Sequence, residues 1–205
     1  MAVIEVYADV WCPFAHAGLR TVARRRHEFG RDDVVLRVRA WPLELVNGVP
    51  LDRESTSQHV DELCTQVAPD LFAGFEPDHF PPTSLPALEL AAAAYRQGER
   101  IGEAVSFALR DALFEEGHDI SSLEILRHLA RGHRVQDAAD EDRAAVRTDW
   151  LSGQARGVKG SPHFFCGVLD VFCPSLDIAR DDEGHLHLGR DIKRLDAFLR
   201  DCTRV

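Results

Sequence analysis

The stretch Asp9-Val10-Trp11-Cys12-Pro13-Phe14-Ala15-His16-Ala17-Gly18 decides how the chain is read. It begins where an apolar, β-rich run from Val3 to Ala8 ends. Pro13 stands where a helix can start, because a first-turn residue has no intrahelical use for the N–H that proline lacks. That helix is expected to reach about Gly30, with charged residues just before it. Val34 to Ala40 then alternates Val34, Leu36, Val38 and Ala40 against Val35, Arg37 and Arg39, the pattern of a second strand. Strand, helix and strand within 40 residues make a βαβ unit, most simply with parallel strands.

Further along, the character changes. Between Asp52 and Trp150 almost nothing reads as a strand. Leu85, Leu88 and Ala92 share one helical face, with Pro86 in the first turn. Gly98 interrupts, and a segment from about Ile101 to Gly117 carries Val105, Ala108, Leu109 and Ala112 on its apolar side. Ser121 and Glu124 have capping-box spacing ahead of Leu123, Ile125, Leu126 and Leu129, with Gly132 closing that helix. A further helix covers about Asp140 to Ala155, and the proline-rich stretch from Pro77 to Pro86 reads as a loop. Strands return at His163 to Cys166 and Leu169 to Phe172, a hairpin around Gly167, before a last helix from Ile192 to Cys202. The simplest architecture is α/β, a mixed sheet with an all-helical insertion. Residues 1–48 and 156–205 would form one discontinuous unit and residues 49–155 the insertion.

The chain has 205 residues, 45% apolar and 28% charged, which suits a packed core and excludes a disordered tail, a fibre or a coiled-coil rod. A net charge of −10 argues against nucleic-acid or anionic-membrane partners, which call for surplus Lys and Arg. The run Arg24, Arg25, Arg26 reads as a solvated helix face. The longest apolar stretch, Leu90 to Tyr95, falls far short of the roughly 20 residues of a membrane span. With no secretory signal at the N-terminus, the expected location is cytoplasmic. Five cysteines (Cys12, Cys64, Cys166, Cys173, Cys202) are then expected to be buried, reactive or metal-bound rather than paired.

Cys12 is the most informative of them. At a strand-to-helix turn, backbone N–H groups and the helix dipole favour a thiolate, so its thiol is expected to titrate below the ~8.5 of a free cysteine. The other reading of its position is a small buried hydrophobe.

The quoted turn resembles the active-site turn of the DsbA-like thioredoxin-fold family, in which Cys-Pro-aromatic-Cys opens the first helix. Gly157-Val158-Lys159-Gly160-Ser161-Pro162-His163-Phe164 resembles that family's cis-proline loop, and Trp41-Pro42-Leu43-Glu44-Leu45 matches a segment after its second strand. The resemblance implies a thioredoxin-like fold with a helical insertion. It also implies a cis Pro162 beside Cys12 and a Ser161 backbone free to pair with a peptide or thiol substrate. On this reading Cys12, Pro13 and His16 are the candidate catalytic residues, and Trp11, Phe14, Ser161 and Pro162 the candidate substrate-binding ones.

One departure limits the chemistry. Ala15 replaces the second cysteine of the redox pair, so the turn cannot resolve its own mixed disulfide. Cys166 lies four residues beyond Pro162, roughly 13 Å along a strand, too far for a disulfide to Cys12 without backbone movement. Cys166 and Cys173 are placed to face each other across the hairpin, Cys64 lies in the insertion and Cys202 on the last helix. His16, four residues after Cys12, either shares its helical face, close enough to stabilise a thiolate, or is a solvent-facing or structural histidine. Cys12 with His16, or His185 with His187, offer paired ligands, but no third and fourth stand at zinc-like spacing and no metal site is expected.

Three functions fit. The first is a monothiol oxidoreductase acting on a protein or small-molecule thiol or disulfide. The second is a glutathione-linked isomerase or transferase of the hydroxychromene carboxylate isomerase or kappa class, and the third a non-catalytic binding protein. No obligatory cofactor is expected, glutathione is the candidate co-substrate, and a homodimer is left open.

Overall fold

The computed structural model describes residues 2–181, 183 and 185–202; the outermost positions of the expected discontinuous unit, 1 and 203–205, lie outside these. β1 (Ala2–Ala8) and β2 (Val34–Ala40) run parallel, in register from Ala2↔Val34 to Ala8↔Ala40, joined by α1 (Pro13–Glu28). α2 (Leu43–Asn47) and five helices follow: α3 (Arg53–Gln66), α4 (Leu85–Gln97), α5 (Glu99–Phe114), α6 (Leu123–His133) and α7 (Asp140–Ala155). β3 (His163–Cys166) then returns antiparallel to β1 through Val6↔Phe164, and β4 (Leu169–Phe172) pairs with β3. The sheet order is β2-β1-β3-β4. A separate ribbon of β5 (Leu176–Arg180) and β6 (Leu186–Arg190) precedes α8 (Ile192–Cys202). The fold is thioredoxin-like α/β with an all-helical insertion.

Two apolar cores meet along β1 and α1. One face of the sheet (Ile4, Val6, Leu36, Phe164) packs on Leu19 and Val22 of α1 and Leu195, Phe198 and Leu199 of α8. The helical core gathers Leu63, Leu90, Val105, Leu109, Leu113 and Ile120. On the opposite sheet face Tyr7, Trp41 and Phe165 pack together, with Tyr7 and Trp41 edge to face at 6.3 Å. α7 closes over them at Gly153, where a Cβ would stand 2.5 Å from the Trp41 ring. The glycine is therefore a condition of that approach.

Several local expectations need correction. The capping box does not form. Ser122, not Ser121, is the N-cap of α6 and makes no side-chain cap bond. Asp119 accepts both the amide and the hydroxyl of Ser121, a charged acceptor two residues away competing successfully for them. Gly132 lies inside α6, which ends instead on Arg134 in the left-handed region at φ 56°. The proline-rich loop contains a 3₁₀ turn, Pro77–His79, and gives way to α4 at Leu85, with Pro86 in the first turn as expected. Of the arginine run only Arg24 is solvent-exposed, pairing with exposed Asp70. Arg25 reaches Asp196 on α8, and Arg26 donates to Glu103 on α5 and to the Val34 carbonyl, so α1 is tied to three elements. Among the described residues no helix is long and apolar enough to cross a membrane.

Candidate active site

β1 delivers Asp9, Val10 and Trp11 into the interior, each no more than 1% exposed. Cys12 is the N-cap of α1, extended at φ −81° and ψ 115°, with Pro13 in the first turn. Its carbonyl accepts the His16 N–H at 3.0 Å and so begins the helix. Val10 and Trp11 belong to the helical core, whereas Cys12 belongs to the sheet core. The thiol therefore sits at the seam between the two.

The loop before β3 completes the site from the other side. Cys12 Sγ–H donates to the Ser161 carbonyl at 3.2 Å, while Ser161 Oγ accepts the Asp9 N–H at 2.9 Å. The Ser161–Pro162 bond is cis. α1 lies against this loop at Gly18, where a Cβ would come 3.2 Å from Pro162 Cγ. The Ser161 carbonyl that was expected to stand free for a substrate is thus occupied by the resting thiol.

The expected acidic thiol is not what the structure places here. Burial pushes the Cys12 thiol up from its ordinary value, opposed by the Ser161 side chain and the Ala15 and Phe14 amides, while Asp9 adds to the rise. The helix-start donors are present, but at 4% exposure the loss of water outweighs them.

Asp9 and Arg110 had no place in the sequence reading of the site. Asp9 is wholly buried, and its carboxylate accepts the amides of Val10 at 2.7 Å and Leu43 at 2.6 Å. Burial raises its pKa to about 6, against those bonds, the Ser84 hydroxyl and the charge of Arg110. Arg110, also wholly buried, donates to the Asp9 carbonyl at 3.0 Å and to the carbonyl and hydroxyl of Ser106 at 2.7 Å. Asp9 begins the quoted turn and was open to notice. Arg110 reads from sequence as an ordinary charge on an amphipathic helix, and only its three acceptors make it interior.

His16 bonds to Glu115 rather than to the thiol. Its Nε2–H donates to Glu115 at 2.6 Å, and its ring packs on Phe72 and Phe114 at 5.2 and 5.0 Å. Burial lowers its pKa against the pull of Glu115, which favours the neutral ring. These partners stand at the C-terminal end of α5 and in the segment between α3 and α4, and Glu115 anchors the imidazole among them. Trp11 stacks on Phe80 at 5.5 Å with rings 11° apart and is fully buried, whereas half-buried Phe14 meets His59 of α3 edge to face at 5.2 Å.

The five cysteines are free thiols. Cys166 and Cys173 do not face each other, because Cys166 pairs with Leu169 beside the hairpin turn and Cys173 follows Phe172 at the other end. Cys166 Sγ lies 3.8 Å from the Cys202 carbonyl, and Cys64 Sγ 3.6 Å from that of Leu71.

A model of the DSBA-like thioredoxin domain matches residues 3–172, most of the chain. The chain belongs to that family. A 2-hydroxychromene-2-carboxylate isomerase superposes with a TM-score of 0.64 at 13% identity, covering 83% of this chain and 88% of its own. A Nitrosomonas europaea protein described as a candidate disulfide isomerase gives 0.67 at 16% identity over 99% and 98%. The cytosolic disulfide reductase DsbM of Pseudomonas aeruginosa gives 0.59 at 16% identity over 98% of both chains. At such identities these likenesses concern the fold. A search of the curated proteins finds no match.

Proposed function

We propose that this DSBA-like protein is a thiol–disulfide oxidoreductase acting through Cys12, the one cysteine at its helix-start turn. The observation that carries the reading is the set of groups converging on one sulfur. Cys12 Sγ lies 3.2 Å from the Ser161 carbonyl, at the N-cap of α1 and beside the cis Ser161–Pro162 bond. The helix start favours negative charge on sulfur, while burial keeps the resting group a thiol.

In this reading the Cys12 thiolate attacks one sulfur of a protein or small-molecule disulfide and forms a mixed disulfide, releasing the other sulfur as a thiol. Once Cys12 is a thiolate or part of a disulfide it has no hydrogen to donate, and the Ser161 carbonyl becomes free to accept an N–H from the bound substrate. Ala15 cannot attack the adduct, so release requires a thiol from elsewhere, glutathione in the simplest case.

A second reading has one observation in its favour. The buried, raised Cys12 thiol suits a group that positions bound glutathione for an isomerisation or transfer. Turnover of a glutathione mixed disulfide by wild type and Cys12→Ser separates the two. Exchange reduced to the uncatalysed rate in the variant is the expected result. A variant that keeps glutathione-dependent activity would favour the second reading.

A further inference from the structure

Cys173 is fixed beside the loop that Cys12 touches by three features. Its backbone is left-handed at φ 44°, a region that favours glycine, yet a cysteine is kept there. Its N–H donates to the Pro162 carbonyl at 3.1 Å, while Cys12 Sγ donates to the carbonyl of Ser161 at 3.2 Å. The two cysteines are therefore anchored to consecutive residues of one loop. Its own carbonyl accepts Arg194 Nη2 at 2.8 Å, and the same guanidinium bonds the Pro174 and Leu176 carbonyls, so a single cation clamps the turn.

The turn also closes on the helix that Cys12 begins. A Cβ at Gly18 of α1 would meet Pro162 Cγ at 3.2 Å and Ser175 Oγ at 3.7 Å. Loop, turn and helix thus converge, with Cys173 between the Pro162 carbonyl and the Ser175 contact. Burial raises the Cys173 thiol, the charge of Cys12 raises it further, and Arg194 opposes both. The match to the family model ends at Phe172, one residue short of Cys173.

We propose that Cys173 is the resolving thiol for Cys12, supplying from the turn after β4 the function that Ala15 cannot. The inference rests on the exchange reading above. Cys12 first attacks a disulfide R–S–S–R′, forming Cys12–S–S–R and releasing R′S⁻, which takes up a proton. The Cys173 thiol then attacks Cys12 Sγ, forms Cys12–S–S–Cys173 and gives up its proton to the departing RS⁻, which leaves as a thiol. Two protein thiols lose two electrons and two protons, and the substrate disulfide gains them as two thiols. Two equivalents of a small thiol such as glutathione reverse the oxidation and leave as their own disulfide. Both cysteines are buried, each 4% exposed.

The test uses the full-length reduced protein, Cys173→Gly and Cys173→Ser, each reacted with oxidised glutathione, then examined by intact mass and non-reducing peptide mapping. Glycine suits the left-handed backbone, so that variant keeps the test valid should serine disturb the turn. Wild type is expected to lose two hydrogens, hold no glutathione and map as Cys12–Cys173, while both variants retain one glutathione on Cys12. Glutathione persisting on Cys12 equally in wild type and Cys173→Gly would overturn Cys173 as resolving thiol and leave exchange at Cys12 standing. A bond from Cys12 to Cys64, Cys166 or Cys202 would overturn it as well. An untouched Cys12 in all three proteins would overturn the exchange reading itself.

Discussion

Replacing Asp9 by asparagine should change how stability depends on pH by a calculable amount. Burial lifts the carboxyl from the ordinary 3.8 to about 6. A difference of about two pH units corresponds to about 3 kcal/mol. Because the folded state holds this proton more tightly than the unfolded chain, the contribution is complete below about pH 4. It falls by about 1.4 kcal/mol per pH unit up to about pH 6, and is absent above. The asparagine side chain would not titrate. It would, however, turn an amide group toward the Val10 or Leu43 N–H, a loss of about 1–3 kcal/mol that does not vary with pH. Wild type should therefore be the more stable at about pH 4, and the gap should close or invert by about pH 7.5, moving by about 3 kcal/mol. Urea unfolding of both proteins at both pH values measures the gap, and titrations common to the two cancel in the difference. A gap that does not move would refute the account of Asp9 as a buried, raised carboxyl. A gap that widens with pH would mean that Arg110 holds Asp9 ionised. Since Asp9 also raises Cys12, thiolate absorbance in Asp9→Asn should appear at lower pH than in wild type.

Glu115→Gln should cost about 1–3 kcal/mol, because the carboxylate accepts the His16 ring and the amides of Phe72 and Ala73. It should leave the pH profile of Cys12 thiolate absorbance unchanged, and a shifted profile would return His16 to the active site. Two glycine substitutions should have opposite signs in chemical unfolding. Gly153→Ala places a Cβ 2.5 Å from the Trp41 ring and 3.0 Å from that of Tyr7, destabilising by about 1–3 kcal/mol. Gly132→Ala meets nothing within 4 Å inside α6 and should stabilise by up to about 1 kcal/mol. Equal effects at the two positions would contradict the packing described for α7.

The parts of the fold legible in the sequence are those where one face is buried and the other is not. β2 alternates visibly because Arg37 and Arg39 look outward, and α8 shows its stripe of Leu195, Phe198 and Leu199. β5 and β6 escaped notice because only Leu176 and Leu186 are fully buried in them, leaving no alternation to read. α3 has just three buried residues, Thr56, Val60 and Leu63, among polar neighbours. In the site, Cys12, Pro162 and the missing thiol at Ala15 could be read from motifs of a few consecutive residues. The Arg110–Asp9 bond, the His16–Glu115 bond and the placement of Cys173 on the Pro162 carbonyl join segments separated by 11 to 101 positions, for which spacing gives no signal. Solvation produced the remaining error. A helix start predicts an acidic thiol only while water still reaches it, and the depth of Cys12 is a property of the assembled cores.

The most direct test of the account is to identify the first sulfur that bonds to a disulfide substrate. Reduced wild type and Cys173→Gly would be mixed with oxidised glutathione, quenched with acid at successive times and peptide-mapped for mixed disulfides. The account predicts that the first glutathione appears on Cys12 in both proteins and accumulates in the variant. A first adduct on Cys64, Cys166 or Cys202, with Cys12 untouched throughout, would contradict it.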